Sequence, residues 1–218
     1  MGIKIYGFWR SIASFRVRVA LKLKGLPFEE VPIDILAGEQ FKPGYDAVNT
    51  ERVVPTLVHE GRRVFQSLAI IEYLEEILPE PRLLPSDPFD RAYARALALM
   101  TIADAHPLVT PRVRNHLGKA FGADGVAVEK WARHWTLEGL ATYERLLTDR
   151  PPSPFALADK PGLADICIAG QVVGAHFLKL DLASFPTVAR LADQCFALPA
   201  FKTSHPYEQP AYKAIKAG

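Results

Sequence analysis

Phe8-Trp9-Arg10-Ser11-Ile12-Ala13-Ser14-Phe15-Arg16-Val17-Arg18 is the stretch where a strand gives way to a helix. Ahead of it, Ile3 and Ile5 alternate with polar neighbours, the period of a half-buried strand. Behind it, Ala13, Val17, Ala20, Leu21 and Lys24 fall on one helical face. Ser11 stands where an N-cap belongs. A helix N-terminus offers unpaired N–H groups and partial positive charge, so it suits an anion, a thiolate included. Arg10 adds a fixed positive charge beside it. Taken locally, the plainer reading is favoured: Ser11 caps and Arg10 is solvated.

Downstream, Gly25-Leu26-Pro27 is a helix stop. Phe28 to Ile35 alternates as a strand, and Pro32, which cannot donate to a ladder, makes it an edge strand. Leu36 to Thr50 reads as a loop with a short irregular helix. Val53 to His59 is a strand, Val64-Phe65 begins its partner, and Glu60-Gly61 marks the turn between them. Gln66-Ser67 then opens a helix from Leu68 to Leu78. Its Leu68, Ile71, Leu74, Ile77 and Leu78 keep to one face, with Glu72, Glu75 and Glu76 elsewhere. The order β-α-β-(α)-β-β-α defines a small α/β domain over residues 1–80.

Pro79, Pro81, Pro85 and Pro88 punctuate a linker, placed at 81–87. From Asp87-Pro88, an N-cap followed by Pro at the first helical position, residues 88–218 read as all-helical. One long helix is expected from Asp90 to Phe121, bent at His106-Pro107 and Thr110-Pro111. A second runs from Val126 to Thr148, with Trp131 and Trp135 set to pack on the first. After a loop from Pro151 to Gly162, Leu163 to Phe177 is apolar enough to be the central buried helix. Thr187 to Leu198 is a further helix, and the tail from Phe201 carries short turns.

Composition narrows the class. With 49% hydrophobic and 23% charged residues in 218, the chain has ordinary globular make-up. A net charge of +2 is too small to argue for a nucleic-acid surface. No apolar run approaches the roughly 18 residues of a membrane span, and Met1-Gly2-Ile3-Lys4 goes straight into a strand pattern with no secretory core. Cys167 and Cys195 lie far apart without a Cys-x-x-Cys, which fits buried thiols in a reducing, cytoplasmic setting. No metal-ligand spacing is present.

Several segments, in order, resemble the cytosolic glutathione transferases, nearest to the Zeta class that includes the maleylacetoacetate and maleylpyruvate isomerases. They are Phe8-Trp9-Arg10-Ser11 with Arg16-Val17-Arg18-Val19-Ala20-Leu21, then Val54-Pro55, then Phe65-Gln66-Ser67-Leu68-Ala69-Ile70-Ile71-Glu72-Tyr73-Leu74-Glu75-Glu76. Pro81-Arg82-Leu83-Leu84-Pro85, His106-Pro107 and Ser204-His205-Pro206 follow at the matching places. The resemblance implies an α/β thioredoxin-like N-terminal domain joined to an all-α C-terminal domain. It implies glutathione as cofactor, a homodimer, and an acidic or electrophilic small-molecule substrate. Val54, before a cis Pro55, would pair with the cysteinyl part of glutathione as an added strand does. Gln66 and Ser67 would take the γ-glutamyl carboxylate at a helix N-terminus. The thiol would add to an activated cis double bond, which rotates before glutathione leaves. Ser11 and Ser14 are the expected thiol donors. Arg10 would be a catalytic cation and, with Arg112 and His106, would hold an acidic substrate.

The chain also departs from that pattern. Where Zeta enzymes have Ser-Ser-Cys after the arginine, it has Ser11-Ile12-Ala13. That leaves Ser11, Ser14 and Tyr6 as donors and removes the only thiol near the helix start. Phe177 stands where those isomerases carry a substrate-binding arginine, and Gly162 where relatives often place a Ser or Thr cap. Two further readings therefore stand beside isomerisation: conjugation of glutathione to a more apolar electrophile, and a non-catalytic protein that binds glutathione or another ligand.

Overall fold

In β1 (Ile3–Gly7) the odd positions are buried and the even ones half-buried, as its alternation requires. The computed structural model of the chain describes residues 2–217. The chain forms two compact units: one holds the residues up to Leu83 together with those from Leu198 onward, the other Leu84–Ala197. The expected contiguous helical domain 88–218 is thus corrected at its end. The tail belongs with the first unit because Phe201 is fully buried there, its ring 6.4 Å from that of Phe15.

In the first unit, α1 (Ile12–Leu23) follows β1, with Ser11 as N-cap. Gly25 ends it at φ +66, and Leu26 N–H reaches back to Leu21 C=O, a left-handed close that glycine supplies without a Cβ penalty. β2 (Phe28–Pro32) is shorter than expected and lies at the sheet edge, where Pro32 costs no ladder bond. The polar loop contains α2 (Pro43–Asp46). β3 (Thr56–His59) and β4 (Arg62–Phe65) form a hairpin whose two loop residues, Glu60 and Gly61, both have positive φ, the turn that matches strand twist. The sheet order is β2-β1-β3-β4, with β1 and β2 parallel and the other pairs antiparallel.

Helix α1 departs from its single apolar face: every residue from Ser14 to Leu21 is buried. It packs against α3 (Ser67–Ile77) and, through the tail, α9 (Pro199–Lys202). On α3 the expected face is also corrected. Ile77 is 41% exposed, whereas Glu75 is buried against Lys24 Nζ at 2.5 Å and accepts from Leu83 N–H. The tail continues into α10 (Pro210–Ala217), so it is more helical than the turns expected of it.

In the second unit, Asp87 caps α4 (Pro88–Leu99) by accepting from Phe89 and Asp90 N–H. The single helix expected to Phe121 is broken. Met100–Ala105 is π-helical, His106–Val109 is a 3-10 turn, and α5 starts only at Pro111 and runs to Phe121. Pro107 and Pro111 each remove a donor, and Thr110 Oγ1 bonds Pro107 C=O at 3.0 Å in place of a helical N–H. α6 (Gly125–Thr148) packs Trp131 on this break, donating from Nε1 to Leu108 C=O at 2.8 Å. α7 (Leu163–Phe177) is buried on all sides, as its composition predicts, and α8 (Pro186–Ala197) covers it. The missing side-chain cap at Gly162 is compensated: Asp165 accepts from Gly162 and Ala156 N–H at 2.9 and 2.8 Å.

Candidate active site

The turn between β1 and α1 is built by two serines with different tasks. Ser11 Oγ accepts from Ser14 N–H at 3.2 Å and is half-exposed. Ser14 is wholly buried, and its Oγ accepts from Phe8 N–H at 3.3 Å. Ser14, expected as a thiol donor, braces the turn from inside. Tyr6 sits half-buried with its ring 6.0 Å from Tyr45, as a packing aromatic. Arg10 is exposed beside Ser11.

Beneath the turn lies a cation that sequence reasoning missed. Arg18 is 1% exposed; it donates from Nη2 to Trp9 C=O at 3.1 Å and from Nη1 to Glu30 Oε1 at 2.8 Å. Burial lowers its pKa and Glu30 opposes that shift. Gly7 leaves room for this pair, because a Cβ there would fall 2.5 Å from Glu30 Oε1 and push that carboxylate off its place on Arg18. Arg16 is a second buried cation, donating from Nε and Nη2 to Ser67 Oγ at 3.1 and 2.9 Å. The available signal was the pair Arg16 and Arg18 within an otherwise apolar run, since buried charges must be paired.

The peptide bond Val54-Pro55 is cis. On its N-terminal side, Val53 C=O accepts from Tyr45 Oη and Asn49 Nδ2, and the same two groups hold Thr56 Oγ1. Val54 is thereby pinned on both sides, yet its own N–H and C=O make no hydrogen bond among the described residues. It offers one donor and one acceptor at the end of β3, the pattern an added strand needs.

Gln66 and Ser67 begin α3. Gln66 has φ +68, an uncommon conformation for a residue with a side chain, and its Nε2 donates to the Glu51 carboxylate at 2.9 Å. Ser67 Oγ has both lone pairs taken by Arg16, so its own hydrogen is left to donate. The first N–H groups of α3, from Ser67 on, have no helical partner. Together these fit an amino-acid carboxylate.

His106 and Arg112 lie in the second unit. His106 is half-buried at the start of the 3-10 turn, and Arg112 is exposed in the first turn of α5. Neither Arg112 nor nearby Arg114 suits the positive end of a helix dipole, so an anion would be favoured there. Among the described residues no cluster of three or more His, Cys, Asp or Glu could hold a metal.

A parallel-antiparallel four-stranded sheet, a capped first helix and an open backbone at a cis-proline corner define a glutathione S-transferase fold, and the model of the glutathione S-transferase N-terminal domain matches residues 1–76. The maleylacetoacetate isomerase of Pseudomonas aeruginosa is 42% identical over 95% of this chain and 98% of its own. The maleylpyruvate isomerase of a Ralstonia species is 38% identical over 95% and 99%. The crystal structure of a maleylacetoacetate isomerase from Methylobacterium extorquens AM1, with bound malonate and glutathione, superposes with a TM-score of 0.93 at 41% identity, covering 95% and 98% of the two chains. The chain belongs to the maleylacetoacetate and maleylpyruvate isomerase family of glutathione S-transferases.

Proposed function

We propose that the protein is a glutathione-dependent enzyme that isomerises the cis double bond of a maleyl keto acid, maleylacetoacetate or maleylpyruvate. The observation that carries this is the conjunction, in one unit, of an open Val54 backbone, a Ser67 hydroxyl aimed by buried Arg16, and a helix start capped by half-exposed Ser11. Glutathione, when bound, supplies a thiol that becomes the nucleophile. Val54 would pair with its peptide backbone, and Gln66 and Ser67 would take its γ-glutamyl carboxylate. The N-terminus of α1 and the Ser11 hydroxyl would stabilise a thiolate, whose ordinary pKa near 8.5 must fall for work at neutral pH. Arg10, exposed in that turn, would favour an acidic substrate. Arg112 and His106 are proposed to contribute to acid recognition, on the resemblance and on the cationic start of α5. The bound malonate of the Methylobacterium relative, a small dicarboxylate, supports the substrate class.

Ile12, Ala13 and the burial of Ser14 leave Ser11 without a second hydroxyl in the turn, which favours a second reading, conjugation of glutathione to a less polar electrophile. A homodimer is proposed on the resemblance and on the exposure of Phe65 and Ile77. A cytoplasmic setting is proposed on the resemblance and on the two buried cysteines, Cys167 and Cys195.

The test pairs a cis–trans isomerase assay with an ultraviolet titration of bound glutathione. Turnover of either maleyl acid, with a thiolate band at pH 7 that weakens in Ser11→Ala, is the expected result. Removing one charge-assisted bond should cost about tenfold or more in kcat. Turnover of chloronitrobenzene exceeding that of both acids would replace isomerisation by conjugation. Binding with an unshifted thiol and no turnover would leave a binding protein.

A further inference from the structure

The C-terminal helix reaches the turn that carries Ser11. The tail is first anchored to α1: Phe201 is buried against Phe15, and Lys22 Nζ donates to Thr203 Oγ1 at 2.8 Å. Gln209 Nε2 then ties the segment to the carbonyls of Thr203 and His205. From there an unbroken set of rings leads to the turn. Tyr207 lies 4.8 Å from Tyr212, Tyr212 lies 5.2 Å from Trp9, and Trp9 lies 5.7 Å from buried Phe8. Trp9 immediately precedes Arg10 and Ser11. Its carbonyl is held from inside by Arg18, so its ring is what remains to be held.

We propose that Tyr212, on α10, is a positioning residue for the thiol-binding turn, acting through the ring of Trp9; this rests on the function proposed above. Trp9 is held at the backbone by Arg18 and at the ring by Phe8 on one contact and Tyr212 on another. Loss of the Tyr212 ring leaves the Trp9 side chain with Phe8 alone and lets the exposed part of the turn shift. Such a shift moves Arg10 and Ser11 while leaving Val54 and Ser67, which hang on different elements, in place. The effect should therefore fall on the thiol and spare the affinity for glutathione. Tyr212 is half-buried on the last helix, so its loss removes little core.

The experiment uses the full chain and three forms, wild type, Tyr212→Leu and Tyr212→Phe, each titrated by the ultraviolet thiolate band of bound glutathione and assayed for isomerase kcat and KM. An aromatic pair of this geometry corresponds to a factor of about three to ten. Tyr212→Leu should raise the bound thiol pKa and lower kcat by about that factor, with KM for glutathione within about twofold. Tyr212→Phe, which keeps the ring, should restore both. A wild-type band near neutral pH that is unchanged in Tyr212→Leu overturns the positioning role alone. A fall in glutathione affinity with no change in thiol pKa also overturns it, since that is what general loosening of the unit would give. No band in the wild type overturns the underlying function and this inference with it.

Discussion

Lys24 sits at the end of the helical stripe on α1, where a lysine usually bends toward solvent. Here it is 4% exposed, with Nζ held by Glu75 and by Leu78 C=O at 2.6 Å. A buried ion pair is costly to assemble and more costly to break on one side. Lys24→Met should therefore destabilise the protein by about 3–5 kcal/mol, because Glu75 keeps its charge without its partner. Adding Glu75→Gln, which still accepts from Leu83 N–H, should recover most of that loss. A double-mutant cycle in chemical denaturation measures it, and additive penalties would show that the two side chains are not coupled. Arg18 follows the same rule with Glu30, while buried Arg16 donates to the neutral hydroxyl of Ser67. None of these pairings was legible from the helical stripe: Arg16 and Ser67, like Lys24 and Glu75, are 51 residues apart.

At the scale of elements, caps and stops were readable and breaks were not. Ser11, Gly25, the Glu60-Gly61 turn and Asp87-Pro88 all act over four or five residues, and each sits where the local pattern put it. The interruption between α4 and α5 was expected as a bend because two prolines in a helical pattern allow either outcome; packing of Trp131 against Leu108 favours the open form. The start of α7 gives a pH-dependent case. Burial raises Asp165 to about 6, against the N–H bonds from Gly162 and Ala156 that pull it down. A carboxyl whose folded pKa is raised lends its full stability below its ordinary pKa and loses it as the pH climbs through about 6. Asp165→Asn does not titrate, so its penalty should be smaller at pH 7.5 than at pH 4.5, by about 2 kcal/mol. Urea denaturation of both proteins at the two pH values measures this; a penalty growing with pH would reverse the sign and show that the N–H bonds outweigh burial.

For the whole molecule, the tail is the feature that redraws the boundaries. Phe201 and the segment after it complete the unit that begins at the N-terminus, so the first unit depends on residues from both ends of the chain. Phe201→Ala should cost about 3–5 kcal/mol, the usual penalty for emptying a buried phenylalanine site. The loss should appear as a weaker hold on glutathione at elevated temperature, read by thermal unfolding with and without saturating glutathione. A substitution with no effect on either midpoint would place the tail outside the cooperative unit.

Most of the secondary structure, the chain order of elements over residues 1–80 and the buried character of α7 were determined by the sequence, because periodicity, capping and turn chemistry act between near neighbours; Val54, Gln66, Ser67 and Ser11, proposed to hold glutathione, came from the resemblance. Tertiary structure alone decided that Ser14 is a brace, that three cations of α1 are buried and paired, that the helix after Leu99 breaks, and that the tail returns to the first unit beside Trp9. Arg16 depends on Ser67 and Lys24 on Glu75, each 51 residues away, and the tail on Trp9 near the other end of the chain, whereas Ser14 meets its partner Phe8 six residues away and only its burial is set from a distance. The desolvation of a charge or a hydroxyl is set by what surrounds it in space.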